Sequence, residues 1–219
     1  MTTPSRRHAL QLFSAAALSA CAHRDADTTS AVAAYYYCFP IFEFARASSA
    51  AAAVNAQRPQ HRYNRVLHRR TLADHTMRAV TTPNCDTVYS SAYLDLTNGP
   101  VLTTLPTLHD RYFSIAFMNA YTDNFAYVGT RATGGEGGLT LITGPNWRGS
   151  PPRGARLIQS PTNDVWMLAR ILAGGSSDLA QANAAQDQIE ILESAEPSPL
   201  TVLPTDASNL ANLLDVTNA

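Results

Sequence analysis

Six short β-forming runs, each closed by glycine, proline or asparagine, fill the stretch from Thr87 to Gln159. Thr87-Val88-Tyr89 and Ala92-Tyr93-Leu94 together make the first, which ends at Asn98-Gly99-Pro100, and Val101 to Leu105 ends at Pro106. Tyr112–Asn119 and Phe125–Arg131 follow, then Leu139–Thr143 after a glycine-rich loop at Thr133–Gly138, and Arg156–Gln159 after Gly144-Pro145-Asn146-Trp147-Arg148-Gly149. Short strands with a turn signal every roughly 8–12 residues predict an antiparallel sandwich or barrel.

Helical patterns flank this region. Residues 30–55 are Ala-rich, with Tyr35, Phe39, Phe42 and Ala45 at helical spacing, and Pro40 is expected to kink the helix or start a second one. A basic connector from Arg58 to Arg78 carries His61, His68 and His75. Val165–Leu172 and Leu179–Leu192 read as helices, with Gly174-Gly175 closing the first and Asp178 capping the second. The expected fold class is α+β, mostly antiparallel β: a β-sandwich or barrel-like core with an N-terminal helix and C-terminal flanking helices. No internal repeat is present.

The first 20 residues read as an export signal outside the fold. Ser5-Arg6-Arg7 resembles a Tat signal, with Ala9 and Gln11 where that motif prefers Phe and Lys. The apolar run from Leu10 to Leu18 is too short to span a bilayer. Leu18-Ser19-Ala20-Cys21 resembles a bacterial lipobox, making Cys21 the expected lipidation site; the alternative is an ordinary Sec signal cut beside it. The expected location is the periplasm or cell envelope, with a membrane anchor through lipid. Residues 21–29 then read as a tether, 30–195 as a single domain, and 196–219 as a Pro-rich tail, disordered or weakly helical.

Composition narrows the chemistry. The chain has 219 residues, and all 16 of its Lys-plus-Arg positions are Arg. Without lysine there is no Schiff base, no P-loop lysine and no Ser-x-x-Lys activation. The formal charge of −1 gives no basic excess for nucleic acid, which is not an expected partner. Residues 22–80 are net basic and 160–219 net acidic, two faces that complement each other or, beside the anchor, touch anionic headgroups.

No strong catalytic signature is present. Gly-x-Ser-x-Gly, His-Glu-x-x-His, Cys-x-x-Cys and Gly-x-Gly-x-x-Gly are all missing, so no cofactor and no metal site is expected. His61, His68 and His75 recur every seven residues, about 10 Å apart on one helix and too far to share a metal. The glycines at 134–138 read as a hairpin loop across which Arg131 can pair with Glu136. Trp147 and Trp166 read as core or rim rather than as a sugar platform.

Five segments together carry a family resemblance. They are T-P-N-C-D-T-V-Y-S-S-A-Y-L-D-L (Thr82–Leu96), D-R-Y-F-S-I-A-F (Asp110–Phe117), N-A-Y-T-D-N-F-A-Y-V-G-T-R (Asn119–Arg131), G-P-N-W-R-G (Gly144–Gly149) and S-P-T-x-x-V-W-x-L-A-R (Ser160–Arg170). Their ordered run, within about Tyr35 to Leu192, resembles the bacterial envelope family called domain of unknown function 1254. The resemblance implies a β-rich protein with flanking helices, usually followed by a second uncharacterised domain of family 1214. Here the chain stops where that domain would begin, so the expectation is either a one-domain member or one whose partner half, a family 1214 protein, is a separate or lost gene. Cys38 and Cys85 stand where the family has Gly and Asn, a paired departure that fits a disulfide in an oxidising compartment or two independent thiols. Asn119 stands where the family commonly has Asp.

Candidate site residues gather around Pro83-Asn84-Cys85-Asp86-Thr87. Asn84 and Asp86 suit a turn in which Asx side chains bond nearby amides. The functional alternative sets Asp86 and Tyr89 opposite Arg111, Tyr121 and Asp123. There an arginine fork and tyrosine hydroxyls hold a small anionic or hydroxylated ligand, with Asn84, Arg111 and Tyr121 as binding residues. Three functions follow: a ligand- or partner-binding accessory module; a hydrolase or lyase using Asp86 with Tyr89 or Asp123 as acid and base and Arg111 as charge stabiliser; or half of a split two-domain protein.

Overall fold

Alternation decides most of the architecture. In the computed structural model, which describes residues 6–52, 63–77 and 82–195 and side chains from Thr28, nine strands form two sheets. The strands are β1 (Leu67–Arg69), β2 (Thr87–Asp95), β3 (Val101–Leu105), β4 (Phe113–Met118), β5 (Asn124–Gly129), β6 (Gly138–Thr143), β7 (Arg156–Gln159), β8 (Asp164–Leu172) and β9 (Glu190–Ser194). The helices are α1 (Arg6–Ala52), α2 (Thr130–Thr133) and α3 (Leu179–Gln186). One sheet runs β1-β2-β8-β4-β5 and the other β7-β6-β3-β9. Every pairing is antiparallel except β6 with β7.

Residues two apart share a face of a strand. Val88, Ala92 and Leu94 on β2, Phe113, Ile115 and Phe117 on β4, and Val165, Met167, Ala169 and Ile171 on β8 therefore point the same way. They join Val101, Leu105, Ile142 and Ile158 of the second sheet in one apolar cluster, closed at the margin by Ala182 and Ala185 of α3 and by Ile189. The expected α+β class, mostly antiparallel with a sandwich-like core, is what the structure has. Phe113, Ile115, Phe117, Met167 and Ile171 are fully buried, and truncating any one to Ala costs about 2–5 kcal/mol.

Val165–Leu172 corrects the helical expectation. As β8 it is the middle strand of its sheet, with Val165, Met167, Ala169 and Ile171 fully buried and Trp166, Leu168 and Arg170 half-buried opposite them. Apolar residues on both faces erase the period-two pattern, so V-W-M-L-A-R-I-L reads equally as helix. Gly174-Gly175 accordingly follows a strand. Leu179–Leu192 is divided too: α3 stops at Gln186 and β9 begins at Glu190.

The glycine-rich loop is likewise no hairpin. It carries the chain from β5 in one sheet to β6 in the other, and at Gly137 the backbone lies so close to the Pro106 carbonyl that any Cβ would collide with it. Arg131 and Glu136 do not pair across it. Glu136 meets His109 at 3.3 Å, and Arg131 sits over the Tyr112 ring.

Helix α1 runs through Pro40 and through the stretch read as a tether. The chain divides into two units at Phe42/Glu43. Before the boundary, Tyr35 contacts Tyr36 and Phe39 at ring distances of 5.8 and 5.5 Å. After it, Phe44, Ala47 and Ala51 pack on Tyr63, Tyr93 and Trp166. The side chain of the expected lipidation site Cys21, together with His61 and the tail from 196 to 219, lies outside the described residues. No described helix is long and apolar enough to cross a membrane.

Candidate functional site

The strand register places each candidate residue. β2 and β4 both flank β8, so their first residues, Thr87 and Phe113, lie beside Leu172 and Ile171, while their last lie beside Asp164 and Trp166. Asp86 and Arg111 thus belong to one end of the sheet. Tyr121 and Asp123, in the β4–β5 turn, belong to the other, about 20 Å away along six residues of β4. The expected group of Asp86, Tyr89, Arg111, Tyr121 and Asp123 is not brought together.

Each of these residues has a local task. Asn84 Oδ1 accepts the Asp86 N–H at 2.7 Å and the Thr87 hydroxyl at 3.4 Å, the Asx turn expected from the motif. The Asp86 carbonyl accepts the Ala173 N–H at 2.9 Å, which ties that turn to the end of β8. Arg111 donates a fork to Asp178 at 2.6 and 2.7 Å, and further hydrogen bonds to the Leu172 carbonyl at 2.6 Å and Gln181 at 3.2 Å. Asp178 also accepts the Gly174 N–H at 2.7 Å and makes no cap to α3. The Arg111 fork, helped by that amide, holds the Asp178 carboxyl down at about 2. Arg111 is a structural clamp.

At the far end Asn119 organises the turn. Its side-chain oxygen accepts the Tyr121 and Asp123 N–H groups at 2.8 and 3.0 Å, and its amide donates to the Asp123 carboxylate at 3.4 Å. An Asp at 119 would face Asp123 as a like charge. Asp95 and Asp164 are cross-strand partners here, and burial, then the charge of Asp95, raises the Asp164 pKa. Burial, reinforced by Tyr63, pushes the Tyr93 hydroxyl up to about 12. Trp166 stacks on Tyr93 at 5.6 Å and donates to Ser91 at 2.8 Å, so it belongs to this packed end.

His68 bonds Ser90 at 2.8 Å, and burial lowers its pKa. The buried Gln186 donates to the same hydroxyl at 3.0 Å and to the Tyr89 carbonyl at 2.8 Å. Cys38 and Cys85 are both free, exposed thiols.

The outward face of the five-stranded sheet offers a different grouping. Its register gives one row of Arg69, Tyr89, Arg170, Ser114 and Gly129, and a second of Leu67, Ser91, Leu168, Ala116 and Tyr127. Neither row contains an acidic residue. Arg170 lies over the Tyr89 ring at 5.6 Å and Arg131 over the Tyr112 ring at 5.8 Å, cation–π contacts that leave guanidinium N–H donors unused. Among the described residues, Arg69, Arg131 and Arg170 have no carboxylate partner.

A cleft of about 310 Å³ opens at the β5 margin of this face, lined by Tyr112, Ser114, Tyr127, Gly129 and Arg131. Gly129 makes it possible: with φ at +147° and no room for a Cβ against the Phe113 carbonyl, it turns β5 sharply into α2, which carries Arg131. A guanidinium with free donors, two tyrosines and a serine hydroxyl around a cleft without a carboxylate can hold a small anion. Of these residues only Arg131 was considered from the sequence, for another role. Reading β8 as a strand would have put Arg170 in register with Ser114 and exposed the arrangement.

Residues 63–193 match the protein family of unknown function DUF1254. The chain belongs to that family. Among solved structures, the DUF1254 chain resembles the VPA0106 protein of Vibrio parahaemolyticus, at 24% identity and a TM-score of 0.51, covering 60% of this chain and 36% of that one. A putative uncharacterized protein of Burkholderia cenocepacia is similar at 13% identity and a TM-score of 0.39, with 85% and 48% covered. The chain therefore spans about a third of the first and half of the second. No curated protein matches. The VPA0106 likeness shows a shared fold.

Proposed function

We propose that this protein is an exported envelope component, lipid-anchored at Cys21, whose β-domain binds a small anion, of the carboxylate or phosphate class, in the cleft formed by Arg131, Tyr112, Tyr127 and Ser114. The observation that carries this reading is the Arg131 guanidinium, held over Tyr112 with no carboxylate partner at a cleft of about 310 Å³. Arg170 stands in register with Ser114 on the neighbouring strand, its guanidinium over Tyr89, and adds positive charge to the same face. The binding role is the one expected from the sequence; the residues are not. An acid–base pair of Asp86 and Asp123 has no support from their positions, which fall at opposite ends of the sheet, and Arg111, the expected charge stabiliser beside Asp86 and Tyr89, is engaged by Asp178.

A thermal-shift screen with small carboxylates, phosphate monoesters and neutral controls tests the binding. A ligand at a hundred times its Kd raises Tm by about 6–10 °C. That rise is expected to vanish in Arg131→Ala and shrink in Arg170→Ala. A hit insensitive to both rejects the cleft. Metabolic labelling with a radioactive fatty acid tests the anchor: wild-type protein takes label and Cys21→Ala does not. The partner reading, a family 1214 domain on a separate chain, is tested by co-purification from envelope extracts.

A further inference from the structure

The second sheet carries a cleft that the anion site does not use. On its outward face Leu102 of β3 lies in register between Leu141 of β6 and Glu193 of β9. Above this row is a cleft of about 420 Å³, walled by Pro100, Pro152 and Trp147 and rimmed by Ser150 and Glu193.

Trp147 is held in place by its loop. Its backbone N–H donates to the Gly144 carbonyl at 3.3 Å, while its own carbonyl accepts Arg148 at 2.9 Å and Gln159 at 3.4 Å. Gln159 also donates to the Pro145 carbonyl at 3.1 Å. Gly149 lies flat against the indole, where any Cβ would strike the ring. An indole fixed this way loses little freedom when a ligand binds.

Three polar groups at this cleft are unused. The Trp147 indole N–H, the Ser150 hydroxyl and the Glu193 carboxylate have no partner among the described residues. Trp166 of the other sheet, by contrast, gives its indole N–H to Ser91.

We propose that this cleft binds the ring of a neutral pyranoside, with Leu102, Leu141 and the Trp147 indole against its C–H surface and Glu193, Ser150 and the indole N–H taking its hydroxyls. A sugar ring presents C–H and O–H groups in alternation and so meets both kinds of surface. An alkyl ligand would leave three polar groups facing hydrocarbon, each at the cost of an unmade hydrogen bond. A quaternary cation would meet a single aromatic ring instead of the several that form a cage.

The two tryptophans make a direct test, because Trp166 serves as an internal reference. In proton–nitrogen NMR spectra of the full chain, each indole N–H gives one crosspeak, assigned with Trp147→Phe. Titration with methyl glucoside, cellobiose or chitobiose is expected to move the Trp147 crosspeak saturably and leave that of Trp166 in place. Glu193→Gln, a substitution at an exposed position that spares the fold, is expected to weaken the response about tenfold. Arg131→Ala should leave it unchanged, which separates this site from the anion cleft. The proposal is overturned if no sugar moves the Trp147 crosspeak at millimolar concentration, if Glu193→Gln responds like wild type, or if tetramethylammonium produces the shift and the sugars do not.

Discussion

Arg111 and Arg131 bear the same group near the same end of one sheet, on either side of Tyr112 in the chain's path, and the fold uses them in opposite ways. Arg111 has a side chain only 16% exposed, and its donors go to Asp178, the Leu172 carbonyl and Gln181. Arg131 is exposed, rests on a tyrosine ring, and keeps its donors free at the mouth of a cleft. One arginine joins α3 to the sheet; the other is left for a ligand. Residue type does not distinguish them. Unused hydrogen-bonding capacity does.

The largest expected difference between the two is in stability. Asp178→Ala strips the clamp from a shielded guanidinium and is expected to lower Tm by about 5 °C, whereas Arg131→Ala gives up one cation–π contact and should lower it by less than about 2 °C. Calorimetry on both variants checks this; equal losses would erase the distinction.

The second difference lies in acid. The folded Asp178 carboxyl is held at about 2, below the ordinary carboxylate value, so its contribution to stability is complete above about pH 4 and is lost as pH falls through about 2. Wild-type protein and Arg131→Ala should both lose stability along this limb, and Arg111→Ala should show a shallower one. Urea midpoints between about pH 2 and 5 measure it.

The smallest effect belongs to the far end of the sheet. Asp164 has a raised pKa, so its ionised form is the disfavoured one and stability is gained as pH falls through that raised value. Asp164→Asn removes the charge and is expected to raise Tm at neutral pH by about 1 °C. A fall in Tm would show that the carboxylate is engaged rather than merely tolerated.

Local chemistry was well written in the chain, and long-range register was not. The turn at Asn84, the strand Val101–Leu105 and the strand Arg156–Gln159 followed from turn residues and β-formers acting over a few positions. Val165–Leu172 was misread because a central strand covered on both faces loses its alternation. That one error hid the outer face, since only β8 as a strand sets Arg170 between Tyr89 and Ser114. Arg111 looked like a ligand fork because nothing local announces a carboxylate 67 positions later as its partner. The free donors of Arg131 were equally invisible, because Glu136 stood nearby in sequence and turned instead to His109.

The anion cleft itself is tested most directly by mapping backbone amide shifts during titration with the best anion from the thermal screen. The account predicts saturable shifts at Ser114, Tyr127, Gly129 and Arg131, abolished by Arg131→Ala while Arg111 and Asp178 stay still. Shifts centred on Asp86 and Arg111, or on Tyr121 and Asp123, would contradict it.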